Sequence, residues 1–116
     1  MTEGKVTNDY GGDDIYCDLI LSGLLPVEIV METDKVLAFH HTRPFWPTHI
    51  VVIPKQHVLS LIEIEADSPL LPDLMRVIQR VSRVVLDQTG AVAIQTHVGT
   101  YQDSKHLHWH IRSGEF

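Results

Sequence analysis

The segment KHLHWHIRSG, residues 105–114, constrains the fold of this chain more than any other. His106, His108 and His110 alternate with Leu107, Trp109 and Ile111. Successive side chains of a β-strand point to opposite faces, so the three histidines share one face and the three apolar residues the other. The apolar face needs a partner layer. The histidine face looks outward or into a cleft.

The partner layer is legible upstream. Ser68 and Pro69 start a helix, Gly90 stops it, and Leu71, Leu74, Ile78, Val81 and Val85 recur at three- and four-residue steps between them. The pattern predicts one long helix over 69–88. Residues 16–24 carry a shorter helical stripe at Tyr16, Leu19, Ile20 and Leu24, and Pro26 ends it. Four further runs read as strands: 27–32, 35–40, 49–54 and 91–98. The first two form a hairpin around Thr33-Asp34, and the third, HIVVIP, is apolar enough to be central. Residues 42–48, with two prolines, and 99–105 are loops, and 55–65 is assigned a short helix. Runs of strands with one long helix give an α+β class rather than alternating βαβ. The expectation is a five-stranded, mainly antiparallel sheet with the helices on one side.

The chain has 116 residues, room for one domain. Residues 14–116 are assigned to it and residues 1–13 to a polar, flexible arm. A hydrophobic content of 44% against 21% charged residues permits a real core. No apolar run is long enough to span a membrane, and the first residues lack the apolar stretch of a secretory signal. The single cysteine, Cys17, excludes an internal disulfide framework and fits a reducing cytoplasm. A formal charge of −6 argues against a nucleic-acid or anionic-membrane surface, but not against a small phosphate ligand held by a few local donors. Of eight histidines, seven lie in or beside the expected strands.

Three alternating histidines allow three kinds of chemistry. They can be the polar side of a half-buried sheet. Two of them can bind zinc with a third ligand from His49, His97 or Cys17. At 3.2–3.4 Å per residue, His106 and His110 stand about 13 Å apart, too far to share one ion. Or one can attack phosphorus. Imidazole titrates near 6.5, is largely neutral and nucleophilic at pH 7, and can carry a covalent phosphoryl group. The preceding loop offers Gln102, Asp103, Ser104 and Lys105 beside a leaving group.

HLHWHIR resembles the His-φ-His-φ-His-φ-φ signature of the histidine triad (HIT) superfamily, with Arg112 in the last, usually apolar, place. Residues 16–57 resemble the Hint branch through Cys-Asp-Leu-Ile, Leu-Ala-Phe-His, Pro-Thr-His and Ile-Pro-Lys-x-His, and the likeness spans about residues 14–112. It implies a homodimer with a shared ten-stranded sheet, and cleavage at the α-phosphate of nucleoside phosphoramidates or related adenylates without a metal or other cofactor. His108 would then be the nucleophile, His110 a phosphate contact, and His106 an orienting residue. His49 would complete the cluster, and Gln102, Asp103 and Ser104 would flank the phosphate. Tyr16, Ile20, Phe39 and His40 would line the base and ribose pocket.

Two positions depart from the Hint pattern. His41 stands where an aspartate accepts bonds from the ribose hydroxyls, and His97 where an asparagine contacts the nucleotide. Asp14 stands where zinc-binding relatives have the first of two cysteines, so no metal site is assigned and Cys17 reads as a small packed residue. Two alternatives to the phosphoramidase reading stay open: a nucleotide-binding module with little turnover, and a dinucleoside polyphosphate hydrolase.

Overall fold

The computed structural model describes residues 12–116, so the assigned arm lies outside the described residues except for Gly12 and Asp13. A π-helical turn, Tyr16–Leu21, leads into strands β1 (Ile29–Glu32), β2 (Val36–His40) and β3 (Thr48–Pro54). One 3-10 turn, Leu61–Glu63, precedes the long helix α1 (Leu70–Thr89). Strand β4 (Ala93–Thr96), a second 3-10 turn at Gly99–Tyr101 and strand β5 (Trp109–Ser113) complete the chain. The sheet order is β1-β2-β3-β5-β4, with every pairing antiparallel.

The centre of this sheet is β3, and it is buried from His49 to Pro54. Both of its faces are covered, so its apolar run is continuous rather than alternating. On one face α1 contributes Leu70, Leu74, Val77, Ile78, Val81 and Val85 against Val36, Ala38, Ile50, Val52, Leu107, Trp109 and Ile111. Each such burial stabilises by about 1.5–3 kcal/mol. Gly90 closes the helix at φ +85°, a left-handed conformation costly for residues with a Cβ, and its N–H donates to the Leu86 carbonyl at 2.8 Å. Thr33 in the β1–β2 turn donates its hydroxyl to Asp73 at 2.7 Å and ties the hairpin to α1.

The opposite face differs from the one-sided packing expected from the sequence. Tyr16, Ile20 and Leu25 from the first turn and its exit pack on Leu37, Phe39, Val51 and Ile53. Helical structure therefore covers both faces, because the apolar residues of β2 and β3 project to both.

Two local expectations also change. The short helix assigned to 55–65 is only the turn Leu61–Glu63. The carbonyls of Val58 and Leu59, which a helix would use, accept instead from the Leu107 N–H at 2.7 Å and the Gln102 side-chain amide at 2.5 Å. The last strand begins at Trp109, not at His106. Its ladder with β3 stops at the Val52–Trp109 pair, two residues before Pro54. There the His106 ring donates to the Pro54 carbonyl at 2.8 Å, so the backbone of 106–108 is free for other bonds.

Candidate active site

Beyond the ladder, side chains still alternate: Leu107 joins the α1 core, while His106, His108 and His110 face the layer holding Tyr16 and Phe39. All three imidazoles are buried. Each has different partners, and those partners fix its tautomer.

His108 Nδ1 lies 2.8 Å from the His106 carbonyl. A carbonyl only accepts, so Nδ1 carries the proton and Nε2 keeps its lone pair. His49 Nδ1 accepts the Phe45 N–H at 3.2 Å, so the proton of its ring is on Nε2, 2.7 Å from His110 Nδ1. His110 Nδ1 therefore accepts, and its Nε2–H is a donor. Two residues apart, the triad thus offers a lone pair and an N–H, fixed by a backbone carbonyl and a two-bond chain from Phe45.

The electrostatics keep these rings neutral at pH 7. Burial, followed by repulsion from His108, His49, His41 and His97, pushes His110 down to about 3. Burial, then His41, Arg112 and His108, lowers His49 to about 4. Burial is also the main cause holding His108 below 6.5. An unprotonated nucleophile is the form that can attack.

His108 and His110 open on a cavity of about 500 Å³, the size range of small-molecule sites. Tyr16, Ile20 and Phe39 give it an apolar wall, and burial raises the Tyr16 hydroxyl well above its ordinary range. His41, Thr42, Arg43 and Phe45 line it from the β2–β3 loop, and Asp13, Asp103 and Ser104 from another lip. The two parts of that lip are joined by the Lys105 N–H, which donates to the Asp13 carbonyl at 2.6 Å. Of the residues singled out from the sequence, Tyr16, Ile20, Phe39, His41, Asp103, Ser104, His108 and His110 line the cavity together.

The others lie elsewhere. Phe39 and His40 are neighbours on β2 and point to opposite faces, so His40 is exposed, 3.7 Å from Glu28. His97 packs beside His110, with ring centroids 5.6 Å apart, and its Nε2 lies 3.1 Å from the Gln95 side chain. Gln102 is buried with its amide turned onto Leu59. His49 stands behind His110 rather than in the wall.

A second cluster lies behind the triad. Asp14, Cys17, His57 and His106 each bring a ligand-type atom to within 4.8 Å of the others. His106 donates from Nε2 to the Pro54 carbonyl, and its Nδ1 lies 3.1 Å from the accepting Asp14 Oδ2 and 3.3 Å from Cys17 Sγ. His57 Nδ1 lies 2.5 Å from the same carboxylate oxygen. Burial alone would raise the Asp14 carboxyl; the Cys17 N–H and His106 outweigh it and hold it below its usual value. Burial, then Asp14, raises the Cys17 thiol to about 11. One sulfur, one oxygen and two imidazoles fit the donor preferences of zinc, with the Pro54 carbonyl orienting the His106 ring. His57 ends the Ile-Pro-Lys-x-His run, three residues after β3, and only the fold brings it to Asp14 and Cys17.

A five-stranded antiparallel sheet with His-x-His-x-His running into its last strand defines a histidine triad protein. The HIT domain family model matches residues 23–116, and the chain belongs to that family. A histidine triad protein from Clostridium difficile superimposes with a TM-score of 0.75 and 34% identity, covering 92% of this chain and 95% of that one. A HIT family hydrolase from Legionella pneumophila gives a TM-score of 0.75 at 26% identity, over 89% and 94%. The adenosine 5'-monophosphoramidase HINT3 of Danio rerio is 28% identical over 102 residues, 84% of this chain and 62% of that protein. The chain is thus a hydrolase-like member of the family.

Proposed function

We propose that the protein hydrolyses or transfers nucleotides at the α-phosphate of nucleoside phosphoramidates or related nucleotidyl compounds, through a covalent nucleotidyl-histidine on His108. The observation that carries this reading is the His108 Nδ1 bond to the His106 carbonyl. It directs an unprotonated Nε2 at the cavity, and burial keeps that nitrogen free of protons at neutral pH. Nε2 attacks phosphorus, the bond from phosphorus to the leaving nitrogen or oxygen breaks, and the leaving group takes up a proton. Water then cleaves the phosphorus–nitrogen bond and restores the imidazole. The His110 Nε2–H steadies the developing charge on a phosphoryl oxygen. The likeness to the zebrafish adenosine 5'-monophosphoramidase supports the choice of a phosphoramidate.

The test is turnover of adenosine phosphoramidate by His108→Ala. Loss of turnover with an unchanged circular dichroism spectrum is expected; retained turnover would refute the nucleophile.

We further read the protein as a cytoplasmic homodimer with a ten-stranded sheet. β4 is an edge strand, Ile94 on it is 50% exposed, and Val84 on α1 is 53% exposed. The buried stripe of α1 is narrower than its apolar arc, which leaves these side chains for a partner. A monomeric mass by light scattering would contradict the dimer. Among the described residues no helix is long and apolar enough to cross a membrane.

A further inference from the structure

The sugar end of the cavity has its own chemistry. His41 lies just past β2, two residues beyond Phe39 on the same face, and its ring centroid is 6.3 Å from that of His110. A nucleotide with phosphorus at His108 and its base against Tyr16, Ile20 and Phe39 has its sugar between them, one oxygen from the phosphorus. His41 lines that same cavity beside His110, and we infer that the sugar rests against it.

The orientation of the His41 ring is fixed twice. It stacks on His49 at 4.3 Å with an interplanar angle of 17°. Its Nδ1 accepts the Arg43 N–H at 2.9 Å, so Nε2 carries the proton. Burial, then repulsion from His108, lowers its titration to about 4, so the ring is neutral at pH 7 and cannot offer a charge-assisted bond. Resting on the nucleotide reading above, we propose that His41 is a specificity-determining residue whose neutral N–H makes the site accept 2'-deoxyribonucleotides about as well as ribonucleotides.

The physical reason is a mismatch of donors and acceptors. A vicinal diol is read selectively by an acceptor that takes both O–H groups, and a carboxylate does this best. An imidazole N–H can donate to one hydroxyl oxygen, which the 3'-hydroxyl of deoxyribose supplies equally well. The carboxylates that line the cavity, Asp13 and Asp103, belong to the lip formed by the chain before the first turn and the loop before the triad; Asp103 acts on the His41 ring from there, but burial outweighs it.

The experiment compares kcat/KM for adenosine and 2'-deoxyadenosine phosphoramidates in wild type and His41→Asp. A wild-type ratio within about threefold, and a shift of at least about tenfold towards ribose in His41→Asp, are expected, since charge-assisted bonds are worth that factor or more. A wild-type preference for ribose above tenfold, or no shift in the variant, would overturn the assignment. Should His41→Asp fail to fold, His41→Asn supplies a neutral carbonyl acceptor and should shift the ratio the same way by about threefold; no shift there overturns it equally. Should neither substrate turn over, dissociation constants for AMP and dAMP are read by calorimetry. Binding without turnover sinks the hydrolase reading while the affinity ratio decides His41. No binding of either sinks both.

Discussion

The two ends of the triad carry the same residue type at the same spacing, yet they sit in opposite surroundings. His106 faces a carboxylate and a thiol, Asp14 and Cys17, with His57 closing the group. His110 sits among other imidazoles: His49 bonded at 2.7 Å, with His41, His97 and His108 around it. A carboxylate neighbour can hold a proton or a cation in place. Burial first, then repulsion from these imidazoles, takes His110 down to about 3. On the proposed mechanism, the difference separates scaffolding from chemistry. The His106 end holds the first turn to the sheet and lends its carbonyl to His108, and the His110 end stays neutral and presents a lone pair and a donor to the cavity.

The largest effect should come at the junction of the two ends. His108→Ala should lower turnover by roughly four orders of magnitude, as expected when a covalent nucleophile is removed, with the melting temperature little changed. Next, His110→Ala should cost roughly a hundred- to a thousandfold in kcat with a smaller change in KM, the pattern for a donor that acts on the transition state. If KM alone rises, the role given to its Nε2–H is wrong.

His49→Ala should cost less, about tenfold, because it removes the partner that sets the His110 tautomer and the ring that His41 stacks on, not a group that touches substrate. A drop equal to that of His110→Ala would show His49 touching substrate directly. At the other end, Asp14→Ala should act on stability rather than catalysis. It removes the partner of the Cys17 N–H, His57 and His106, and should lower stability by about 1–3 kcal/mol by denaturant titration. If it halves nothing but kcat, the two ends are not separate.

The last effect, the pH response, bears on the two ends together. The folded titration points of His41, His49 and His110, about 4, 4 and 3, lie below the unfolded value of 6.5. The unfolded chain therefore binds more protons in this range, and stability is complete above about pH 6.5 and declines as pH falls towards 4. The melting temperature should be lower at pH 5.0 than at pH 7.5. The acid limb of kcat/KM should likewise lie below 6.5, since His108 is lowered and loses its lone pair only on protonation. A limb above 6.5 would mean that His108 is not buried among neutral rings.

Much of this was readable from residues alone. The alternation at 106–111 correctly assigned Leu107, Trp109 and Ile111 to the α1 core, because a strand's period of two is set by local backbone geometry. The helix expected at 69–88 runs from Leu70 to Thr89, because its stripe and its stop at Gly90 are also local. His40 could have been excluded from the pocket by the same alternation that included Phe39. The helix assigned to 55–65 could not have been rejected, since what prevents it is Leu107 and Gln102, more than forty residues away, taking its carbonyls.

The sequence by itself therefore determined the sheet, the long helix and the presence of a histidine face, and its motifs carried the resemblance to the family. The first three follow from periodicities and spacings that act over a few residues. Tertiary structure alone decided the surroundings each histidine meets. His49, distant in sequence, sets the proton of His110, and His106 is held between Pro54 and Asp14. His108 and His41 take their tautomers from backbone groups two residues away, but only the fold turns those rings into one cavity.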